Sequence, residues 1–517
     1  MTLAWIRRVL STCIAILRPV VTLILSRSVV EHYCLDIEWD YLRIHSSGGA
    51  YIDATLYRPR DVDPTLMGKI PCIVIVDTHG NQTSWSTIAY QYASQGFAVI
   101  LYLGRKGRNM EDIFSMGEVH DLDCIYPFIL AQHAWIDPNG VFIMGKSYAS
   151  GIVLRCLALK SHPYVGGIVL SPIPYISSIV SREVEGDRDP ATDTGHTLAV
   201  SSHLATKRLL VEMGVGSIAS YQFVHKDTPA DLMAQRMLVF DTDDRERFQL
   251  NDIDIPLYVH VNMLDSLVHV YDTTVLFESV YAKQTQSCIR YVHGDHCSTE
   301  NSIHTASVIY DQILQWCRAV LHTMPIQTFE TEVRCTTTRH THYSSLHPNL
   351  PSNRYTLTDP FVIKATSYLP DVRRILQLDG LLRRLSDWTV PIRSLVTLHS
   401  VVLWNFPVVH ALDMAGFPVV NLKVDTRTPG SGFSVTLLEY DAYGFGKRLS
   451  HKYIRLRDTR DASKQIMVRM SMVASRVTAG QELVLIIGNY DRRFVYTGPT
   501  DATITFTGIQ IPYLCRY

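Results

Sequence analysis

The run Val141-Phe142-Ile143-Met144-Gly145-Lys146-Ser147-Tyr148-Ala149-Ser150-Gly151 leaves this chain few ways to fold. Four apolar residues in a row suit a strand buried on both faces, and residues 148–160, rich in Ile, Val, Leu and Ala, suit a helix. So little chain separates the two that it must turn sharply at Ser147. A serine held at such a turn stands its hydroxyl above the edge of a parallel sheet, and the backbone N–H of Tyr148, at the helix start, points to the same spot. The residues flanking the turn must be small for strand and helix to approach. Gly145 and Ala149 meet that need, so the pattern is G-x-S-x-A where G-x-S-x-G is the commoner form. Short Gly-Ser turns also occur with no chemistry attached, and the meaning of this one depends on the remainder of the chain.

That remainder has the rhythm of a parallel sheet covered by helices. Residues 41–45 and 51–57 alternate like an antiparallel pair, 70–76 form a buried strand, 88–94 a helix stopped at Gly96, and 97–102 the next buried strand. Residues 118–133 predict a helix with Val119, Leu122, Ile125, Phe128 and Ile129 on one face, and 137–140 a turn before the serine strand. After the elbow helix come strands at 167–171 and 255–261, a helix at 273–283, a strand at 289–292 and a helix at 307–321. Between 173 and 252 the pattern is helical and polar with no clear strand, as in an inserted cap. Residues 336–353, rich in Thr, Ser, His and Pro, read as a linker. Beyond them, strands at 394–404, 419–424, 432–440, 465–473, 482–487 and 502–507 predict a β-sandwich or jelly roll, with a helical insertion at 372–385. The expected organisation is an apolar segment at 1–35, an α/β domain at 36–172 and 253–335, a helical cap at 173–252 and an all-β domain at 354–517.

Charge narrows the partners. Lys plus Arg number 48 against 49 Asp plus Glu, which leaves no electrostatic footprint for a nucleic acid. Ten scattered cysteines without a C-x-x-C pair, several of them inside apolar runs, read as buried free thiols in a reducing, cytoplasmic setting. Residues 3–26 are apolar, but Arg7, Arg8 and Arg18 punctuate them and Pro19 follows, which breaks the span of about 18–20 apolar residues a membrane crossing needs. Three readings of residues 1–30 stay open: a helix packed on its own domain, an amphipathic segment in contact with a membrane surface, or a degenerate signal anchor. Homo-oligomerisation is open as well.

A serine hydroxyl is inert at neutral pH until a base takes its proton, and the base needs an orienting carboxylate. On a sheet of this kind both belong in loops at the carboxyl ends of later strands, in the order serine, acid, histidine. The strand at 255–261 leads into Asn262-Met263-Leu264-Asp265, and the strand at 289–292 into His293-Gly294-Asp295-His296. Asp265 and His296 therefore arrive at the right strand ends in the right order.

With these motifs in place, residues 118–151, reading E-x-x-D at Glu118 and Asp121, then Gln132, Trp135, Gly140, Val141 and G-x-S-Y-A, resemble the cocaine-esterase and X-prolyl dipeptidyl-peptidase (CocE/NonD) family of α/β-hydrolases. Asp265 and the Gly294-Asp295-His296 run fall where that family carries its acid and base. The resemblance covers 36–517 and implies an α/β-hydrolase domain with a helical cap and a C-terminal jelly roll. It also implies Ser147 as nucleophile, His296 as base and then acid, and Asp265 as the group orienting His296, with no cofactor and no metal. The substrate it implies is a small molecule or short peptide with an ester or amide to cleave. The family's oxyanion is held by the backbone N–H after the serine, here Tyr148, and by a tyrosine in the loop after the first long strand. His79 stands at that second position here, and its imidazole N–H could donate instead. These departures carry the alternative of a catalytically silent α/β-hydrolase that serves binding or membrane association.

Other residues compete. His293 sits on the strand end, where packing or a supporting hydrogen bond suits it better than the base role. Asp295 is a sequence neighbour of His296 and a poorer orienter than a residue on a separate loop. Glu118 and Asp121 read as anchors of their helix, Cys297 as a neighbour of His296, and His340 and His342 as histidines without further ligands nearby. For substrate contacts, the acidic run from Glu183 to Asp193 and the aromatics Trp85, Tyr148, Tyr175 and Tyr221 each have an ordinary reading as solvated loop or core.

Overall fold

The computed structural model describes residues 37–46, 51–60, 69–78, 82–104, 116–161, 163–175, 181–182, 196–197, 248–265, 268, 270–294, 296–301, 303–326, 328–335, 341–344, 353–357, 361–366, 390–391, 401–426, 432–440, 445–455, 464–488 and 501–514. The segment 1–36, the acidic run 183–193, Tyr221, the helical insertion at 372–385, His79 and Asp295 lie outside them. So does most of the expected cap, of which two-residue strands at 181–182 and 196–197 and the short turn Leu250–Asp252 are described. Among the described residues, no helix is long and apolar enough to cross a membrane.

The chain opens with an antiparallel hairpin, Ile37–His45 (β1) and Tyr51–Pro59 (β2). Its residues alternate: Ile44, Ile52, Ala54 and Leu56 face the core while Trp39, Tyr41 and Tyr51 stay exposed. Then follow Ile70–Asp77 (β3), Gln82–Ser94 (α1), Ala98–Leu103 (β4), Met116–Gln132 (α2), Ile136–Lys146 (β5), Tyr148–Leu159 (α3), Gly166–Leu170 (β6), Leu257–Asn262 (β7), Val270–Tyr281 (α4), Cys288–Val292 (β8), Ile303–Leu321 (α5) and Phe329–Cys335 (β9). Pairing runs β1-β2-β4-β3-β5-β6-β7-β8-β9, parallel from β4 onward. The central strands are apolar throughout because both faces are covered. Val74, Ile100 and Ile143 pack beneath α2, α3 and α4, whereas Ile75, Leu101 and Met144 pack beneath α1 and α5. The chain leaves β3 for β4 on one side and returns to β5 on the other, so the loops after β3 and β5 diverge and open a crevice at the carboxyl ends of the strands.

The all-β part is a sandwich. One layer contains Asn353–Leu357, Phe361–Thr366, Leu412–Gly416, Val419–Thr426, Lys464–Arg469, Val473–Val477 and Asp501–Leu514, and the other Val401–Pro407, Gly432–Tyr440, Phe445–Arg455 and Glu482–Gly488. Leu422, Val424, Phe506 and Ile509 of the first meet Phe433, Val435, Leu485 and Ile487 of the second. The two parts share a sheet: β9 pairs in parallel with Val473–Val477, at Arg334↔Ser475 and Cys335↔Arg476. Met472 and Ala474 are buried in the α/β core itself. The ring of His293, just past β8, lies 2.6 Å through Nε2 from the Ala474 carbonyl oxygen, a short N–H···O bond across the junction. Replacing His293 with Phe keeps the bulk but strands a buried carbonyl, and is expected to lower unfolding free energy by about 1–3 kcal/mol, read from the denaturant midpoint.

Several sequence expectations need correction. The turn at 137–140 lies inside β5, as an irregularity where register shifts between Ile70 and Cys72 and where Asn139 N–H closes on the Asp137 carboxylate at 2.9 Å. The linker at 336–353 contains a strand, Thr341–Ser344, paired antiparallel with β9, a partner that composition does not reveal. The strand at 465–473 is two strands, broken between Arg469 and Val473. Phe445–Arg455 went unpredicted because Lys447, Arg448 and Lys452 break up its apolar alternation. Four helices, α1, α2, α4 and α5, begin two to six residues earlier than their apolar periodicity indicates, whereas α3 begins at Tyr148 as expected.

Candidate active site

Ser147 follows β5 and precedes α3 with φ 56 and ψ −121, a conformation that costs a non-glycine residue on the order of 1–3 kcal/mol and persists only where its surroundings enforce it. Here they do. The Ser147 N–H donates to the Leu170 carbonyl of β6 at 2.8 Å, and the Ser150 hydroxyl donates to the Ser147 carbonyl. Gly145 is needed because a Cβ there would stand 2.5 Å from the Ala149 carbonyl oxygen and 2.7 Å from the Ser150 nitrogen, both rigid backbone. Ala149 itself fits, buried at the crossing of strand and helix. Gly145→Ala is expected to cost about 1–3 kcal/mol or more by prying α3 off β5, visible as a lowered melting temperature.

His296 and Asp265 converge on this serine from loops 149 and 31 residues away from their partners. The Ser147 Oγ lies 2.7 Å from His296 Nε2, and His296 Nδ1 lies 2.7 Å from Asp265 Oδ2. The remaining Asp265 oxygen accepts the Val268 N–H at 2.8 Å, and the Asp265 N–H donates to the Asn262 carbonyl, so the carboxylate is fixed from two directions. Burial works against a charge on the His296 ring, but the Asp265 carboxylate, by its charge and its hydrogen bond, outweighs that and raises the imidazole above the usual histidine range. Tyr148 opens α3, with its backbone N–H at the helix N-terminus.

The competing residues fall elsewhere. His293 turns to the all-β part, and Cys297 is buried with its N–H on the Ser171 hydroxyl at 3.1 Å. Glu118 accepts the Tyr148 hydroxyl at 2.5 Å, and Asp121 accepts Ser46 and Tyr102 at 2.9 Å each, so both are internal anchors. Of the two readings open for Trp85 and Tyr148, the core reading holds: both are buried, Trp85 edge-on to Tyr310 and beneath the Lys146 ammonium. Lys146 also donates to Asn301 at 2.8 Å, linking the serine turn to the segment after His296. Among the described residues, no cluster of three or more His, Cys, Asp or Glu could hold a metal. Ser171, Thr299 and Glu300, which prove central to the loops beneath the triad, carried no motif that would have singled them out.

No family model matches the chain, and no curated protein matches it by sequence. Solved structures do match in shape. An aminopeptidase from a marine sediment archaeon, Thaumarchaeota archaeon, aligns with a TM-score of 0.65 at 13% identity, covering 93% of this chain and 97% of its own. A CocE/NonD family hydrolase from Staphylococcus aureus aligns with a TM-score of 0.62 at 12% identity, covering 92% and 94%. An α-amino acid ester hydrolase gives 0.61 at 12% identity, covering 92% and 97%. Since the likeness spans the α/β sheet and the C-terminal sandwich together, the chain has the fold of the CocE/NonD hydrolases: an α/β-hydrolase domain joined to a C-terminal jelly roll.

Proposed function

We propose that this protein is a serine hydrolase that cleaves an ester or amide through an acyl-enzyme. The observation that carries the reading is the unbroken relay of two 2.7 Å contacts from Ser147 Oγ through the His296 ring to Asp265, set on a serine whose backbone is forced to present it. Ser147 Oγ attacks the substrate carbonyl carbon as His296 Nε2 takes its proton. Asp265 holds the Nδ1–H tautomer and stabilises the imidazolium. The oxyanion that forms is met by the Tyr148 N–H at the start of α3, with His79 proposed as the second donor. Collapse expels the alcohol or amine, which takes the proton from His296, and water then repeats the sequence on the acyl-serine.

The nearest chemistry to try is an acyl group bearing an amine, since two of the similar structures are described as an aminopeptidase and an α-amino acid ester hydrolase. The alternative of a silent scaffold rests on the sequence departures at His79 and Ala149. A fluorophosphonate probe separates them: the wild type is expected to label on Ser147 and to hydrolyse aryl esters of amino acids, and folded protein that neither labels nor turns over such esters or X-Pro amides would sink the proposal.

A further inference from the structure

Beneath the triad, at the carboxyl ends of β6 and β7, lies a buried polar cluster that takes no part in the acyl-transfer steps. Ser171, Asn262 and Glu300 are 1%, 0% and 3% exposed. The Ser171 hydroxyl donates to Glu300 Oε1 at 2.5 Å. The Asn262 amide donates to Ser171 Oγ at 2.7 Å and to Glu300 Oε2 at 2.8 Å. The Thr299 hydroxyl stands 2.7 Å from Asn262 Oδ1 and 2.9 Å from Glu300 Oε2, and His260 Nε2 lies 3.0 Å from it.

The geometry points to Glu300 as a positioning residue: its carboxylate, acting through Ser171 and Asn262, ties together the loops that carry Ser147, Asp265 and His296. The inference rests on the acyl-transfer reading of that triad. Each loop has its own tether to the cluster. The Ser147 N–H bonds Leu170, which precedes Ser171. The Asp265 N–H bonds the Asn262 carbonyl at 3.0 Å. The N–H of Cys297, which follows His296, bonds Ser171 Oγ at 3.1 Å. Cys297 and Ser171 are non-glycine residues at φ 53 and φ 43, a strained backbone that stays in place only when its contacts over-determine it. Gly294 completes the fit, since a Cβ there would lie 2.4 Å from both Asn262 Oδ1 and Ser298 Oγ, so the base loop sits directly on Asn262.

A carboxylate is the group this arrangement needs. It accepts only, so it draws the Ser171 and Asn262 protons toward itself and leaves a Ser171 lone pair to receive the Cys297 N–H. Burial favours the neutral acid, but His260 and the hydrogen bonds from Ser171 and Asn262 outweigh it and hold Glu300 below the usual glutamate range. Glutamine has the same shape but sets an NH₂ against one of those donors.

Glu300→Gln and Ser171→Ala test the idea in the full chain. In each, kcat for an amino-acid aryl ester is expected to fall about 10- to 100-fold with KM within about twofold, because the reacting groups are displaced while the binding surface is untouched. The double variant should be little worse than the poorer single one. The far-downfield proton NMR signal of the His296 Nδ1–H should weaken or vanish in both, which general loss of stability in a folded sample does not cause. A Glu300→Gln protein with kcat within about twofold of wild type and an unchanged downfield proton overturns the assignment. If Glu300→Gln does not fold, Ser171→Ala is read by the same measures. If the wild type neither labels nor turns over ester, the acyl-transfer reading fails, and the imidazole proton alone decides: present in wild type and lost in the variants, the positioning role stands; unchanged, it falls.

Discussion

Ser147→Ala is expected to lower kcat for an activated ester by about 10⁶-fold and to abolish fluorophosphonate labelling, with the melting temperature close to wild type. The size follows from the roles. Without Oγ there is no atom to attack the carbonyl, and the His296 base has no proton to take, so the remaining rate comes from oxyanion donors and binding alone. The fold should survive because the bonds that hold the turn are made by backbone atoms: Ser147 N–H to Leu170 and the Ser150 hydroxyl to the Ser147 carbonyl, both kept by alanine. A variant that still labels would show that the nucleophile is another residue.

Asp265→Asn should cost about 10⁴-fold in kcat and also move the pH profile. His296 acts as a base only when neutral, so kcat/KM rises with pH through its ionisation. In the wild type the Asp265 carboxylate favours the imidazolium, which places that ascending limb above the ordinary histidine value of about 6.5. The amide removes the charge but leaves the ring largely shielded from water, and that desolvation favours the neutral form, so the limb should shift to lower pH. It also offers an NH₂ where Nδ1–H needs an acceptor, which turns or re-protonates the ring and lowers the plateau. A kcat/KM profile from about pH 5 to 9 on an aryl ester separates the two effects. A limb that stays put in Asp265→Asn would mean that another group titrates.

Much of this site could be read from residues in a row. The serine turn is local: an apolar strand, a glycine and a helix-forming run compel one geometry, and the structure keeps all three, with α3 spanning Tyr148–Leu159 and Lys160 closing it at φ 55. Asp265 and His296 were legible for a related reason, since each follows an apolar run whose length and surroundings mark it as a buried parallel strand, and the carboxyl ends of such strands meet on one edge. Two kinds of feature were not legible. The strand Thr341–Ser344 and the seam between β9 and Val473–Val477 depend on partners distant in the chain, which no local periodicity encodes. The brace of Ser171, Asn262 and Glu300 is made of common polar residues, whose meaning comes from burial and from whom they face.

The amino-acid order alone determined the class of fold, the elbow and the candidates for an acid and a base beside the serine, because local sterics and apolar patterning act within a few turns of chain. Only the folded molecule decided which histidine reaches the serine, that Trp85 and the Tyr148 ring belong to the core, and that the jelly roll joins the α/β sheet through His293 and β9. Those are matters of distance and desolvation between segments far apart in the chain, and both take their values only once the backbone has closed.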